Sequence, residues 1–211
     1  MDEKRLKILR DETPFRAIMS LAIPTIMGML VQVLYNLTDT FFVGKLNDPY
    51  QLAAVSVAFP LFIMLMAISS VFGTGGSSYI SRLLGQKDYL MAKKVTATTF
   101  YSCIFIGIMV SFAGLYFISP ILHLIGVTEA TFQYASQYLI IIFSGSMIII
   151  LNFSLGLLLR AEGAAKEAMI GMILGTGFNI ILDPFFILYL NQGVRGAAIA
   201  TIIGQSLGLS Y

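Results

Sequence analysis

Uncharged apolar runs of twenty or more residues recur along this chain, and no other feature restricts its fold so severely. A hydrocarbon core of about 30 Å takes about 20 helical residues at a rise of about 1.5 Å each. Inside that core the backbone finds no water, so a crossing segment must satisfy its own N–H and C=O groups as a helix. Of the 211 residues, 57% are hydrophobic and 11% are charged, against about 25% charged in a soluble domain. A water-soluble globule is therefore excluded. The expected fold is an all-α integral membrane bundle of six helices, with spans at 17–44, 52–80, 95–119, 130–159, 168–190 and 196 to the last residue. The first run is too long for a signal-peptide core and several more follow it, so it reads as a retained span.

Charge orients the bundle. Lys4, Arg5, Lys7, Arg10 and Arg16 precede the first span, Arg82, Lys87, Lys93 and Lys94 follow the second, and Arg160 and Lys166 follow the fourth. The opposite side has only Lys45 and Arg195. Eleven basic residues against two place the N-terminus in the cytoplasm by the positive-inside rule, so spans one, three and five run outward through the cytoplasmic membrane. Residues 1–16 read as a cytoplasmic tail, either solvated or lying on the membrane as a short amphipathic helix. The last span stops after 16 residues, so 17–211 is expected to be one six-helix lobe truncated in helix six, the other lobe being absent. A net charge of +2, dispersed over loops, argues against a nucleic-acid partner. Cys103 is the only cysteine, which rules out an internal disulfide.

Two acidic side chains lie within the spans, Asp39 in the first and Asp183 in the fifth. A carboxylate at such depth costs about 2.5–3.5 kcal/mol on insertion scales, and usually faces a bundle interior on an ion path. Asp39 lies 23 residues beyond Arg16 and Asp183 17 beyond Lys166, so both fall in the outer half of the bilayer. Thr201, six residues inward of Arg195, reaches a similar level about 9 Å along its helix. Helical spacing groups Gln32, Tyr35, Asn36 and Asp39 on one face, and Met172, Gly175, Thr176, Asn179 and Asp183 on another. A polar face within an apolar helix must look at protein or trapped water. A polar chamber between spans one, five and six follows, which Asn152 of span four can join. The competing structural reading is that these side chains pin helices together at about 0.6 kcal/mol each.

Other signals are weaker. Gly73, Gly75 and Gly76 lack the Gly-Lys-Ser/Thr of a phosphate loop and read as close-packing positions. Pro24 and Pro184 can bend their helices, as static kinks or by freeing carbonyls for a cation. His123 has no metal-ligand partner at helical spacing, and the glycosylation triplets at Asn36 and Asn152 fall inside spans. No nucleophile, base and carboxylate set points to an enzyme, and the span interiors hold essentially no Lys or Arg.

Several segments in order carry a resemblance: Pro24 with Leu37-Thr38-Asp39 and Phe42-Val43-Gly44, the loop Ser81-Arg82-Leu83-Leu84-Gly85-Gln86-Lys87-Asp88, Arg160-Ala161 with Gly163, and Asn179-Ile180-Ile181-Leu182-Asp183-Pro184. Together they resemble the bacterial multidrug branch of the multidrug and toxic compound extrusion (MATE) family. The resemblance implies a twelve-helix antiporter of two six-helix lobes around a central cavity, this chain being the amino-terminal lobe. It implies a cation site, Na⁺ or H⁺, at Asp39, Asn179, Asp183 and Thr201, with Asp39, Asn179 and Asp183 as ligands if the ion is Na⁺. It also implies a substrate cavity lined by Gln32, Tyr35, Asn152 and Met172, to which the helical stripes add Asn36 and Thr176. The expected function is cation-coupled export of amphipathic, often cationic, organic compounds without a cofactor. The partners are the lipid bilayer, the small-molecule substrate and the carboxy-terminal lobe. The alternatives are a flippase for lipid-linked oligosaccharides, which would need cationic residues for pyrophosphate, and a non-transporting structural subunit that would tolerate alanine at both aspartates.

Overall fold

A computed structural model describes residues 13–46 and 48–211, without the side chains of Pro14, Ala17 and Asn36. Most of the expected tail thus lies outside the described residues. Among the described residues eight α-helices follow in order: α1 Pro14–Gly44, α2 Pro49–Gly85, α3 Tyr89–Tyr116, α4 Ile118–Leu124, α5 Glu129–Ser144, α6 Ser146–Ala161, α7 Ala165–Pro184 and α8 Gly193–Ser210. A π-helical turn, Phe185–Tyr189, extends α7. Local chemistry sets several ends. Asp48 caps α2 by accepting from Tyr50 N at 3.0 Å, with Pro49 at the first helical position, and Asp88 caps α3 by accepting from Met91 N at 3.0 Å. At the end of α6, Gly163 turns left-handed at φ 80°, which lets Ala164 N donate to Leu159 O at 2.8 Å and close the helix.

Among the described residues four helices are long and apolar enough to cross a membrane, and α5 with α6 makes a fifth crossing if the bent pair is one span. In the apolar window of α1 only 11% of residues are buried. Apolar surface on that scale cannot face water, so it faces lipid or protein. The expected single span 130–159 is two helices meeting at 56°. The break falls at Gly145, where a Cβ would overlap Ile202 of α8. A larger residue there would have to displace the Ile202 side chain, and the chain bends at this glycine. The α8 helix falls outside that group of four, because Arg195 and Gln205 lower its hydropathy.

The helices pack as two groups that share α8. In one, α2, α3, α5 and α6 enclose a core around Leu65, Leu139, Ile142, Phe143, Ile149 and Ile150. In the other, α1 lies mainly against α7, and α7 against α8. Gly73 sits against Leu157, and Gly76 against Thr99, as close-packing positions should; Gly75 meets nothing within 4 Å and has no such role. Polar staples cross the first group: the Ser69 hydroxyl donates to Ile150 O at 2.9 Å and the Ser154 hydroxyl to Ser69 O at 2.9 Å. These positions are glue of the kind expected between membrane helices.

Candidate cation site and cavity

The second group carries the polar stripes. On α7, Thr176, Asn179 and Asp183 are all buried, and on α1 Tyr35 is buried with Asp39 partly so. Thr201 comes in from α8. Its hydroxyl donates to Ala197 O at 3.0 Å; with that proton committed, the Tyr35 hydroxyl is the donor across the 3.1 Å contact to Thr201 Oγ1. This bond ties α1 to α8 across 166 positions of sequence. Asp39 lies one turn beyond Tyr35 and Asp183 one turn beyond Asn179. The carboxyls are close enough to interact electrostatically.

Tyr138 of α5 is the residue that spacing arguments missed. It is buried and lies within electrostatic reach of both Asp39 and Asp183. A tyrosine in mid-span signals a need for a polar partner, but α5 carries no carboxylate stripe to pair it with in one dimension.

The acidic pocket is under-satisfied. Asp39 Oδ1, both Asp183 carboxyl oxygens and both amide atoms of Asn179 are buried with no hydrogen-bond partner. Such groups cost free energy unless something neutralises or coordinates them. Two carboxylates, an amide oxygen and a hydroxyl are hard oxygen donors, which suit a proton or a small hard cation. No cluster of three or more His, Cys, Asp or Glu able to hold a metal ion occurs among the described residues.

Beside it opens a cavity of about 690 Å³ between α1, α2, α6, α7 and α8. Gln32, Tyr35, Asn152, Met172 and Thr176 line it, as do Asn179 and Thr201. Asp39 and Asp183 do not. Tyr35, Asn179 and Thr201 stand in the cavity wall, with Asp39 one turn beyond Tyr35 and Asp183 one turn beyond Asn179. The side chain of Asn36 lies outside the described residues. Two wall residues were not foreseen. Gln205 of α8 accepts a short hydrogen bond from Asn152 Nδ2. Arg160, expected in a loop, lines the end of the cavity near the basic loops, with Glu167 in the same wall; a cationic group does reach the interior.

At the other end of the bundle, Asp48 joins three elements. Gln51 Nε2 donates to its carboxyl at 3.1 Å, while Gln51 Oε1 accepts from Val194 N at 3.1 Å. The Gln51 amide, the Tyr50 and Gln51 backbone N–H groups and the Tyr134 hydroxyl hold the Asp48 carboxyl below its ordinary range.

This arrangement has close relatives. The chain is 36% identical over 207 residues to the multidrug export protein MepA of Staphylococcus haemolyticus, covering 98% of this chain and 46% of that protein. It is 36% identical over 205 residues to MepA of Staphylococcus aureus, covering 97% and 46%. Among solved structures it is similar to an outward-facing multidrug resistance MATE family transporter of the MOP superfamily (TM-score 0.93, 36% identity, 98% and 46% covered). It is equally similar to a MOP superfamily transporter from Pyrococcus furiosus whose binding pocket is described as of reverse polarity, suggesting a different function (TM-score 0.93, 36% identity, 98% and 45% covered). The chain spans about half the length of the curated relatives it matches. The MatE family model matches residues 24–185, and with these relatives it establishes that the chain belongs to the MatE family of multi-pass membrane transporters.

Proposed function

We propose that this chain is the amino-terminal lobe of a cation-coupled exporter in the cytoplasmic membrane, with its N-terminus inside and α8 as the sixth crossing. The observation that carries the reading is the acidic pocket: unpartnered, buried carboxylate oxygens on α1 and α7 beside a drug-sized cavity. Asp39 and Asp183 together capture Na⁺ or H⁺ from outside, assisted by Asn179 and Thr201. Two like charges in a low-dielectric pocket favour either protonation of one carboxyl or a shared cation. Because Asn179 and Thr201 also face the cavity, a change in the pocket reaches the substrate wall through two side chains and the Tyr35–Thr201 bond. Coupling follows if ion and substrate favour different states of the lobe pair.

The substrates are amphipathic organic cations. Met29, Met66, Met172, Tyr35 and Phe153 supply polarisable, adaptable walls, and the nearby carboxylates supply negative potential. A shared fold does not choose the substrate, since one relative of the same TM-score has a pocket described as of reverse polarity; the acidic pair supports a cation here. A flippase for pyrophosphate-linked sugars is disfavoured, because Arg160 faces the cavity beside an acidic residue.

The test is dye efflux from vesicles carrying the intact protein, with Na⁺ and pH gradients imposed separately. Asp39→Asn and Asp183→Asn should each abolish gradient-driven efflux while leaving the protein in the membrane at normal abundance. Unchanged efflux in either variant refutes the coupling role.

A further inference from the structure

From the α2–α3 hairpin we infer a docking surface for an anionic phospholipid: Arg82, Lys87, Lys93 and Lys94 take the headgroup phosphate, and the exposed apolar face of α3 takes an acyl chain. The inference needs only that α2 and α3 cross the membrane; in the orientation proposed above, the lipid belongs to the cytoplasmic leaflet.

The hairpin is tightly closed and holds its charges outward. Only Gln86, Lys87 and Asp88 connect Gly85 of α2 to Tyr89 of α3. Asp88 N donates to Leu83 O at 2.9 Å and Lys87 N to Leu84 O at 3.1 Å, which completes the end of α2. Ile80, Leu83, Leu84 and Ala92 are buried in a small core with Leu158 of α6. Arg82, Lys87, Lys93 and Lys94 are all exposed. Two acidic groups stand near them, and both are engaged: Asp88 accepts from Met91 N at 3.0 Å and Glu162 from the Thr96 hydroxyl at 3.1 Å. Basic clusters immediately beyond a membrane helix attract anionic headgroups.

Apolar side chains stand among these charges. Leu90 is 69% exposed, and Tyr79, Tyr89 and Met91 are exposed as well. Aromatic and basic residues together mark the headgroup level of a bilayer. From Leu90 an exposed stripe continues along α3 in steps of three or four residues, through Lys94, Thr98, Tyr101, Phe105 and Met109. Phe105 lies 11 residues beyond Lys94, about 16 Å at the helical rise, which is one leaflet of hydrocarbon. A lipid whose chain lies on Tyr101 and Phe105 carries its phosphate at the level of Lys94.

Lys87 supplies an independent indication. Its φ is 62°, a left-handed conformation that glycine adopts freely and lysine does not. Closing the helix requires no more than glycine at this position. The lysine thus costs stability and contributes a cation, the pattern of a residue kept for function.

The probes are phosphatidylglycerol and phosphatidylcholine with the same chains. Purified intact protein in a neutral detergent is titrated with each, and bound lipid is counted by native mass spectrometry. Wild type should bind phosphatidylglycerol the more tightly, by a margin that shrinks as salt rises. Each charge removed from the surface should weaken phosphatidylglycerol about fivefold, the equivalent of about 1 kcal/mol per basic residue at a membrane surface, with phosphatidylcholine held within about twofold. The variants are Lys87→Gly and Lys93→Gln combined with Lys94→Gln. Lys87→Gly has a second readout of opposite sign, because relief of the left-handed backbone should raise its unfolding midpoint while lipid affinity falls. Lys166→Gln is the control: it removes a charge from α7, which packs against α1, α6 and α8 rather than the hairpin, and should leave phosphatidylglycerol binding unchanged. Equal affinity of wild type for the two lipids, unchanged affinity in the hairpin variants, or equal weakening in Lys166→Gln overturns the inference. So does displacement of the lipid by soluble glycerol phosphate at equal concentration, which would mark a site for free phosphate.

Discussion

The crossing of α7 and α8 makes a prediction with an internal control on one helix. Gly171 and Gly175 of α7 face Gly204 and Gly208 of α8, backbone against backbone. A Cβ at Gly175 would lie 2.7 Å from Gly204 O and 3.3 Å from Gly208 Cα, and a Cβ at Gly204 would lie 2.6 Å from Gly175 O. Ordinary contact begins at 3.4 Å, so Gly175→Ala must push the helices apart by more than half an ångström against backbone atoms that cannot rotate away. Overpacking of this kind costs about 1–3 kcal/mol. Gly177, two residues along the same helix, meets nothing within 4 Å; Gly177→Ala should be neutral or stabilise by about 0.5–1 kcal/mol through the lost backbone entropy of glycine. At roughly 2–4 °C per kcal/mol for a domain of this size, the two variants should move the unfolding midpoint in opposite directions. Cys103 supplies the assay, being the only cysteine and buried, so a thiol-reactive fluorophore reports unfolding during a temperature ramp. Parting the helices also displaces Asn179 and Thr201, one turn from the contact, so Gly175→Ala should weaken ion-dependent efflux as well. Equal midpoints for Gly175→Ala and Gly177→Ala would refute the close-crossing argument.

Two further outcomes follow from single contacts. Tyr35→Phe removes the donor to Thr201 at a cost of about 0.6 and at most about 1.7 kcal/mol; the unfolding midpoint should barely move, while the ion concentration for half-maximal efflux should rise, and an unchanged ion dependence would disconnect this bond from coupling. Asp48→Asn keeps the helix cap but removes the charge. The folded-state value of Asp48 lies below 3.8, so its contribution is present above that pH and lost as pH falls through the depressed value. The wild type should be the more stable at neutral pH, with the difference vanishing well below 3.8; a difference that persists in acid would show that the charge is not its source.

Much of the molecule could be read in one dimension. Charge-free apolar length announced helices in a bilayer, because an unpaired backbone is not tolerated in hydrocarbon. Period 3.6 put Thr176, Asn179 and Asp183 on one face of α7, and the structure buries all three. Depth counting put Thr201 of α8 level with Asp39 and Asp183; in the structure its hydroxyl meets that of Tyr35, one turn before Asp39. These features are properties of single helices and of distance along them.

What one dimension could not supply is which helix lies opposite which. The close contact at Gly145 is with Ile202 of α8, and Tyr138 of α5, a helix packed against α8, stands within electrostatic reach of the aspartates. The cavity itself, and the place of Arg160 in its wall, likewise depend on how α6, α7 and α8 cross. The amino-acid order alone determined the long apolar helices and their polar faces, since those depend on local hydrogen bonding and solvent transfer. Tertiary structure decided their neighbours, since packing between helices far apart in the chain is a joint property of both surfaces and is written in neither one alone.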